Sequence, residues 1–302
     1  RWLSDWSSDV CSSDLTNTID ALLSNATHAK NISKSKGGNT VTAYNKSNHL
    51  EFIKQHSLED DLIAAIDEEK FHMVYQPLYD LKTDQIVDIE ALIRWSHPIH
   101  GFVSPEFFIN LAEKLGHIVA LDHWVIDAVF KQQTLWGEQA IISINISALT
   151  FESDTFVDYI QTKIEAYSIN PNKIQLELTE RVLIKNIQST IEKLNALRAL
   201  GLKIALDDFG IGYSSLGYLV QLPLDSLKID KSFVNQVTVN PKTKMIVKTI
   251  IDMGHNLGLK TIAEGIEDDE TLAQLKTLNC QIGQGYFFSK PVSPDQIYSS
   301  NT

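Results

Sequence analysis

Cysteine is nearly absent: Cys11 and Cys280 are the only two in 302 residues. That excludes a disulfide framework and a cysteine-built zinc site, and it fits a reducing, cytoplasmic setting. Positive charge is also scarce, with 26 Lys and Arg against 38 Asp and Glu, for a formal net charge of −12. Proteins that grip long nucleic acid do so through a basic surface, so a nucleic-acid polymer is excluded as a partner. A small anionic ligand stays open, provided that metals or local Arg and Lys supply counter-charge. No run approaches the roughly 18 apolar residues of a membrane helix, so this stretch is expected to make no direct membrane contact. An anchor elsewhere in a longer parent protein stays open. What is present is ordinary for a globular protein, at 43% hydrophobic and 21% charged residues. The length suits one large domain of about 250 residues plus additional sequence.

The chain begins at Arg1 rather than Met, as a fragment would. Residues Asp5 to Leu15, DWSSDVCSSDL, read as the translation of a common sequencing adapter, so residues 1–15 are expected to be an artefact. Residues 16–44 read as a helix, a break at Gly37-Gly38 and a short strand. From His49 to Glu69 the apolar residues Leu50, Ile53, Leu58, Leu62, Ile63 and Ile66 follow a helical period. The expected division is therefore 16–47 as a remnant, 48–61 as a linker helix and 62–299 as the main domain.

Beyond residue 70 the pattern alternates. Short aliphatic or β-branched runs (Phe71–Gln76, Ile86–Leu92, Ile141–Ile146, Lys173–Leu178, Lys203–Asp207, Ser226–Ile229, Lys260–Ala263 and Ile282–Phe287) are separated by longer amphipathic stretches. These stretches are Pro105–Leu115, Asp122–Trp136, Phe151–Tyr167, Ile187–Leu200, Thr243–Leu257 and Asp269–Leu278. Strand–helix alternation predicts a parallel sheet with crossover helices. About eight strands in about 230 residues predict closure into a TIM-like (β/α)8 barrel. Only a turn, Asp80–Gln85, separates the first two runs, which predicts one antiparallel strand.

The strand ends carry the chemistry. Glu90, Asn145, Glu177, Asp207 with Asp208, Lys228, Glu264 and Gln284 fall at or near the ends of successive runs. In a parallel barrel those ends converge on one face, where active sites are built. Five carboxylates crowded together are driven towards protonation unless a cation balances them. Oxygen ligands of this kind suit two Mg²⁺ or Mn²⁺ ions, an arrangement suited to in-line attack on a phosphodiester. Singly, each such residue is most simply a helix cap or a solvated side chain; the argument rests on their recurrence. Lys228 alone could be a structural partner of Glu264. The segment Asp208–Ser215 reads as a glycine-punctuated loop without the spacing of a nucleotide-binding motif.

Glu90-Ala91-Leu92-Ile93-Arg94-Trp95 resembles the EAL signature. The resemblance continues in order through Tyr75-Gln76-Pro77, Ile144–Ser147, Glu177–Glu180, Asp207–Gly210 with Gly212–Ser215, Leu227–Asp230, Ala263–Glu267 and Gln284-Gly285-Tyr286. It covers Leu62 to Gln296 and implies a cyclic di-GMP phosphodiesterase yielding linear pGpG. Carried over residue by residue, it implies that Glu90, Asn145, Glu177 and Asp207 hold one metal and that Asp208 holds the second, with Asp207 bridging. Lys228 would hold or activate the attacking water, Glu264 would be a candidate base and Glu180 would brace the neighbouring loop. Gln76, Leu92, Arg94 and Gln284 would contact substrate, and the domain would form a homodimer. Residues Leu22, Leu23, Ala26, Ala29 and Lys30 likewise resemble the end of a GGDEF (diguanylate cyclase) domain, although Thr27 and His28 stand where Asp-Ile is usual; a plain linker helix reads equally well. In the EAL-like part, Ile211 stands where Thr is frequent and Gln281 where Asp is frequent. Two rival readings are a catalytically silent cyclic di-GMP receptor and an unrelated barrel enzyme using Lys228 as a Schiff base. No presumed ligand is missing, against the first, and the surrounding carboxylates keep the lysine charged, against the second.

Overall fold

The computed structural model describes residue 30 and residues 58–68, 70–183, 187–210 and 216–298. The chain divides into two compact units, Arg1–Ala64 and Ala65–Thr302. In the first, residue 30 and residues 58–64 are described, and all are helical. The adapter-like string, the GGDEF-like remnant apart from Lys30, and linker residues 48–57 lie outside the described residues.

The second unit is a closed barrel. Its strands are β1 (Phe71–Asp80), β2 (Ile86–His97), β4 (Ile141–Asn145), β5 (Ile174–Thr179), β6 (Lys203–Phe209), β7 (Ser226–Ile229), β8 (Lys260–Ala263) and β9 (Ile282–Gly283). They run in the order β1-β9-β8-β7-β6-β5-β4-β2, and β1–β2 pairing closes the ring. Strand β1 is antiparallel to both neighbours, and the other barrel pairings are parallel. The hairpin that reverses β1 turns on Asp80, whose Oδ1 accepts from the backbone N–H groups of Lys82 and Thr83. On the parallel strands apolar residues alternate with polar ones; Ile174, Leu176, Ile204, Leu227 and Ile229 are fully buried and form the apolar face under the helices.

Helices α1 (Pro105–Leu115), α2 (Ile118–Trp136), α3 (Ala148–Glu152), α4 (Phe156–Tyr167), α5 (Ile187–Ala199), α6 (Leu216–Leu219), α7 (Lys231–Val234), α8 (Pro241–Asn256) and α9 (Asp269–Thr277) connect the strands. Pro105 and Pro241 open α1 and α8 in the first turn, where a missing N–H costs nothing. An aromatic cluster joins the strand layer to the first helices: Phe71 lies 5.5 Å from Trp95, 5.5 Å from Phe108 and 5.7 Å from Trp124, ring centre to ring centre.

The sequence expectations differ from the structure at several elements, β1 among them, which runs on to Asp80 rather than ending at Gln76. The stretch expected as one helix, Phe151–Tyr167, is two, because Ser153 and Thr155 form a polar joint between the buried Phe151 and Phe156. Helix α2 starts at Ile118 rather than Asp122, since Ile118 and Leu121 bury a further apolar turn. Strand β2 continues past the barrel to His97, where it pairs with the short outer strand β3 (Gly101–Val103). Strand β9 stops at Gly283 rather than Phe287, because the chain folds over the backbone of Ile266, whose carbonyl accepts from Phe287 N.

Candidate active site

Parallel pairing brings the singled-out residues to one end of the barrel. Glu90 is not the last residue of β2 as expected, but its parallel pairing with β4 ends one residue later, at Ala91 with Ile144. Asn145 pairs with Glu177 across β4 and β5. Glu264 and Gln284 directly follow β8 and β9. Successive strand residues normally face opposite sides, so Asp207 and Asp208 should diverge. A register shift against β7 between Leu206 and Phe209, with Asp208 at φ 56°, turns both carboxylates to one side. Asp tolerates this left-handed conformation better than most residues. Oxygens of Asp207, Asp208 and Glu264 lie within 4.8 Å of one another, close enough to share a cation.

Lys228 is the centre of the cluster and is fully buried. Its Nζ lies 2.6 Å from Glu177, 2.7 Å from Glu264, 3.5 Å from Asp207 and 3.7 Å from Glu90. One ammonium faces four carboxylates, so the group carries excess negative charge. Burial works against the charge on Lys228, but Asp207, Glu177, Glu264 and Glu90 together hold it well above the ordinary lysine range. Burial raises Glu177 well above the usual carboxylate range despite Lys228. It also pushes Glu264 up to about 8 against the pull of the same lysine. For Glu90 burial is outweighed by Lys228 and by donors on Gln284 and Asn145, which hold its carboxyl low. Glu177 Oε1 is buried with no hydrogen-bond partner among the described residues, a costly state for a carboxylate oxygen. Excess charge, an orphaned buried oxygen and hard oxygen donors together fit divalent cations such as Mg²⁺.

A second set of contacts surrounds Glu90. Asn145 Nδ2 donates to its Oε1 at 2.7 Å, and Gln284 Nε2 donates to its Oε2 at 2.6 Å. Gln284 also reaches Gln76 Oε1 at 3.1 Å, while Gln76 Nε2 donates to the Ser289 carbonyl. Glu90, Leu92 and Arg94 alternate onto one face of β2. Arg94 is half-buried, and burial lowers its pKa against the opposing pull of Tyr286 and Glu90. Its Nη1 donates to the Ile93 carbonyl, and no carboxylate within ion-pair distance holds it among the described residues. Glu180 accepts from Gly210 N at 2.9 Å; residues 211–215 of that loop lie outside the described residues. Gln281, one of the departures from the family pattern, accepts from Thr261 N and so tethers the start of β8.

Sequence reasoning passed over three features: the bulge at Asp207-Asp208, the Ser289 carbonyl that orients Gln76, and polar residues one pleat below the cluster. Of these only the last had a sequence signal, a polar residue two positions before each of several site residues. Gly285 explains the glycine of Gln284-Gly285-Tyr286: a Cβ there would collide with the backbone of Ile266. Gly285→Ala should cost about 1–3 kcal/mol and move Gln284 off Glu90; a melting temperature unchanged from the parent would contradict this.

Residues 59–291 match the family model described as EAL domain, and the chain belongs to that family. It is 35% identical over 277 residues to the cyclic di-GMP phosphodiesterase NbdA of Pseudomonas aeruginosa, covering 90% of this chain and 35% of the relative. It is 35% identical over 287 residues to the bifunctional diguanylate cyclase/cyclic di-GMP phosphodiesterase MucR of the same organism, covering 94% and 42%. The chain thus spans less than half the length of either relative. A solved structure of PaMucR phosphodiesterase in complex with c-di-GMP superposes with a TM-score of 0.77 at 36% identity, covering 80% of this chain and 99% of that one. No helix among the described residues is long and apolar enough to cross a membrane.

Proposed function

We propose that this chain hydrolyses cyclic di-GMP to linear pGpG at the barrel mouth, using two divalent cations, Mg²⁺ or Mn²⁺. The observation that carries the reading is the convergence of Glu90, Glu177, Asp207 and Glu264 on the buried Lys228, with Asp208 beside them. Glu90, Asn145, Glu177 and Asp207 would hold one ion, and Asp207 and Asp208 the second, with Glu264 in reach of it. Bound there, the ions supply counter-charge and favour ionisation of a water for in-line attack. Lys228 orients that water, and Glu264 beside it accepts its proton. Water adds to phosphorus, the bond to a ribose 3′ oxygen breaks, and that oxygen takes up a proton. Arg94 and Gln76 hold the substrate, Arg94 gripping a phosphate through its planar fork, with Leu92 and Gln284 lining the same face. Glu180, on Gly210 N, steadies the loop beside Asp208. Self-association through this domain belongs to the same reading; exposed Met245 and Ile246 on α8 offer an apolar face for it.

Hydrolysis should cease with excess chelator, return with Mg²⁺ or Mn²⁺ and be inhibited by Ca²⁺, whose looser geometry misplaces the reacting groups. Undiminished hydrolysis in chelator would refute the metal-dependent reading.

Protons compete with the ions. An ordinary glutamate loses its proton near 4.5, whereas Glu264, partly buried in the barrel mouth, keeps it up to about 8. Between those values the metal-free folded chain binds more protons than the unfolded chain, so this group's contribution to stability falls as pH rises. A divalent cation displaces that proton. The rise in Tm on adding Mn²⁺ should therefore be larger at pH 8 than at pH 6; an equal or smaller rise at pH 8 would contradict the assignment.

A further inference from the structure

One pleat below the carboxylate cluster, the barrel interior holds a second polar layer. Asp88, Ser143, Gln175 and Ser226 stand two residues before Glu90, Asn145, Glu177 and Lys228, on the same faces of β2, β4, β5 and β7. All four are buried, none more than 4% exposed. Gln175 is the hub. Its Nε2 donates to Asp88 Oδ2 at 3.1 Å and to Ser143 Oγ at 2.9 Å, and its Oε1 accepts from Ser226 Oγ at 2.9 Å. Ser143 Oγ donates to Asp88 Oδ1 at 2.9 Å, and Ile89 N donates to the same oxygen at 2.7 Å. Between β5 and β7, β6 contributes Ala205, which pairs with both Glu177 and Ser226 and is small enough for Gln175 to reach across.

Apolar side chains would fill this level of a small barrel more simply, and a buried polar group costs stability unless it is hydrogen-bonded. What the polar layer adds is register. Alternation forbids a slip by one residue, because it would turn the interior face outward. It does not forbid a slip by two, which keeps the faces and displaces Glu177 from Asn145 by about 6.6 Å. A chain of hydrogen bonds across four strands is satisfied in one alignment only, and catalytic groups tolerate displacements of no more than about 1 Å.

We infer that Asp88, Ser143, Gln175 and Ser226 are positioning residues that fix the relative depth of Glu90, Asn145, Glu177 and Lys228, and through them the affinity of the mouth for divalent cations. The inference rests on the reading of that mouth as a metal site. The test is calorimetric titration of the full chain with Mn²⁺ alone, with thermal melting of the metal-free protein alongside. Gln175→Leu keeps the volume and removes the hub; it should melt cooperatively and bind Mn²⁺ about tenfold more weakly, as loss of supporting contacts around ligands typically does. Ser226→Ala removes one bond of the chain and should weaken Mn²⁺ by a smaller, measurable factor; it decides the matter if Gln175→Leu does not fold. A folded Gln175→Leu with wild-type Mn²⁺ affinity, whatever its Tm, would overturn the inference. So would wild-type affinity in Ser226→Ala where that variant alone folds. A wild-type chain that binds no Mn²⁺ would defeat the metal-site reading itself, and the inference with it; the wild-type titration separates the two failures.

Discussion

Lys228→Ala should lower cyclic di-GMP hydrolysis by about 10² to 10⁴-fold, the range typical for loss of a well-placed catalytic group. The ammonium sits among Glu90, Glu177, Asp207 and Glu264, so its removal takes away the group that orients the attacking water and leaves every proposed metal ligand in place. It also removes a positive charge next to the cations, so Mn²⁺ affinity should stay level or tighten, because like charges repel. Substrate binding should survive within about tenfold, since Arg94, Gln76 and the ions still hold the phosphates. Steady-state kinetics and equilibrium binding on the same preparation read all three. Hydrolysis at the wild-type rate would show that Lys228 is a structural counter-ion and no more.

Glu90→Ala should fail in the opposite pattern. The substitution deletes a proposed metal ligand together with the acceptor shared by Asn145 Nδ2 and Gln284 Nε2. Mn²⁺ affinity should fall by at least tenfold, and substrate binding and turnover should fall with it. Because Gln284 also bonds Gln76, the loss spreads into the proposed substrate contacts. Metal affinity and substrate affinity that both stay at wild-type levels would remove Glu90 from the ligand set.

The barrel was legible because its strands are short, rich in aliphatic and β-branched residues and separated by amphipathic helices, a pattern that topology rules convert into a parallel sheet. The antiparallel β1 was legible too, since six residues cannot make a parallel crossover. Boundaries were less so where tertiary contacts overrode local pattern. Pairing with β1 carries β2 beyond Glu90 to Trp95 and the outer strand β3 takes it on to His97, while Gly285 packed on Ile266 cuts β9 short. The candidate site was legible as a set of residue types at strand ends, because parallel strands deliver their ends to one face. Its geometry was not. The bulge that aims both Asp207 and Asp208 inward depends on pairing with β7, which periodicity in one strand cannot reveal. The Asp88–Ser143–Gln175–Ser226 layer left a trace in the sequence, a polar residue two positions before a site residue on each of four strands, but its hydrogen bonds emerge only when the strands are set side by side.

The most direct test of the central claim is to incubate the full chain with excess cyclic di-GMP in Mg²⁺ and separate the nucleotides by chromatography. The account predicts linear pGpG accumulating to many equivalents per chain, with none formed in chelator. Cyclic di-GMP bound at a fixed stoichiometry and recovered intact would contradict it, and would make this barrel a receptor.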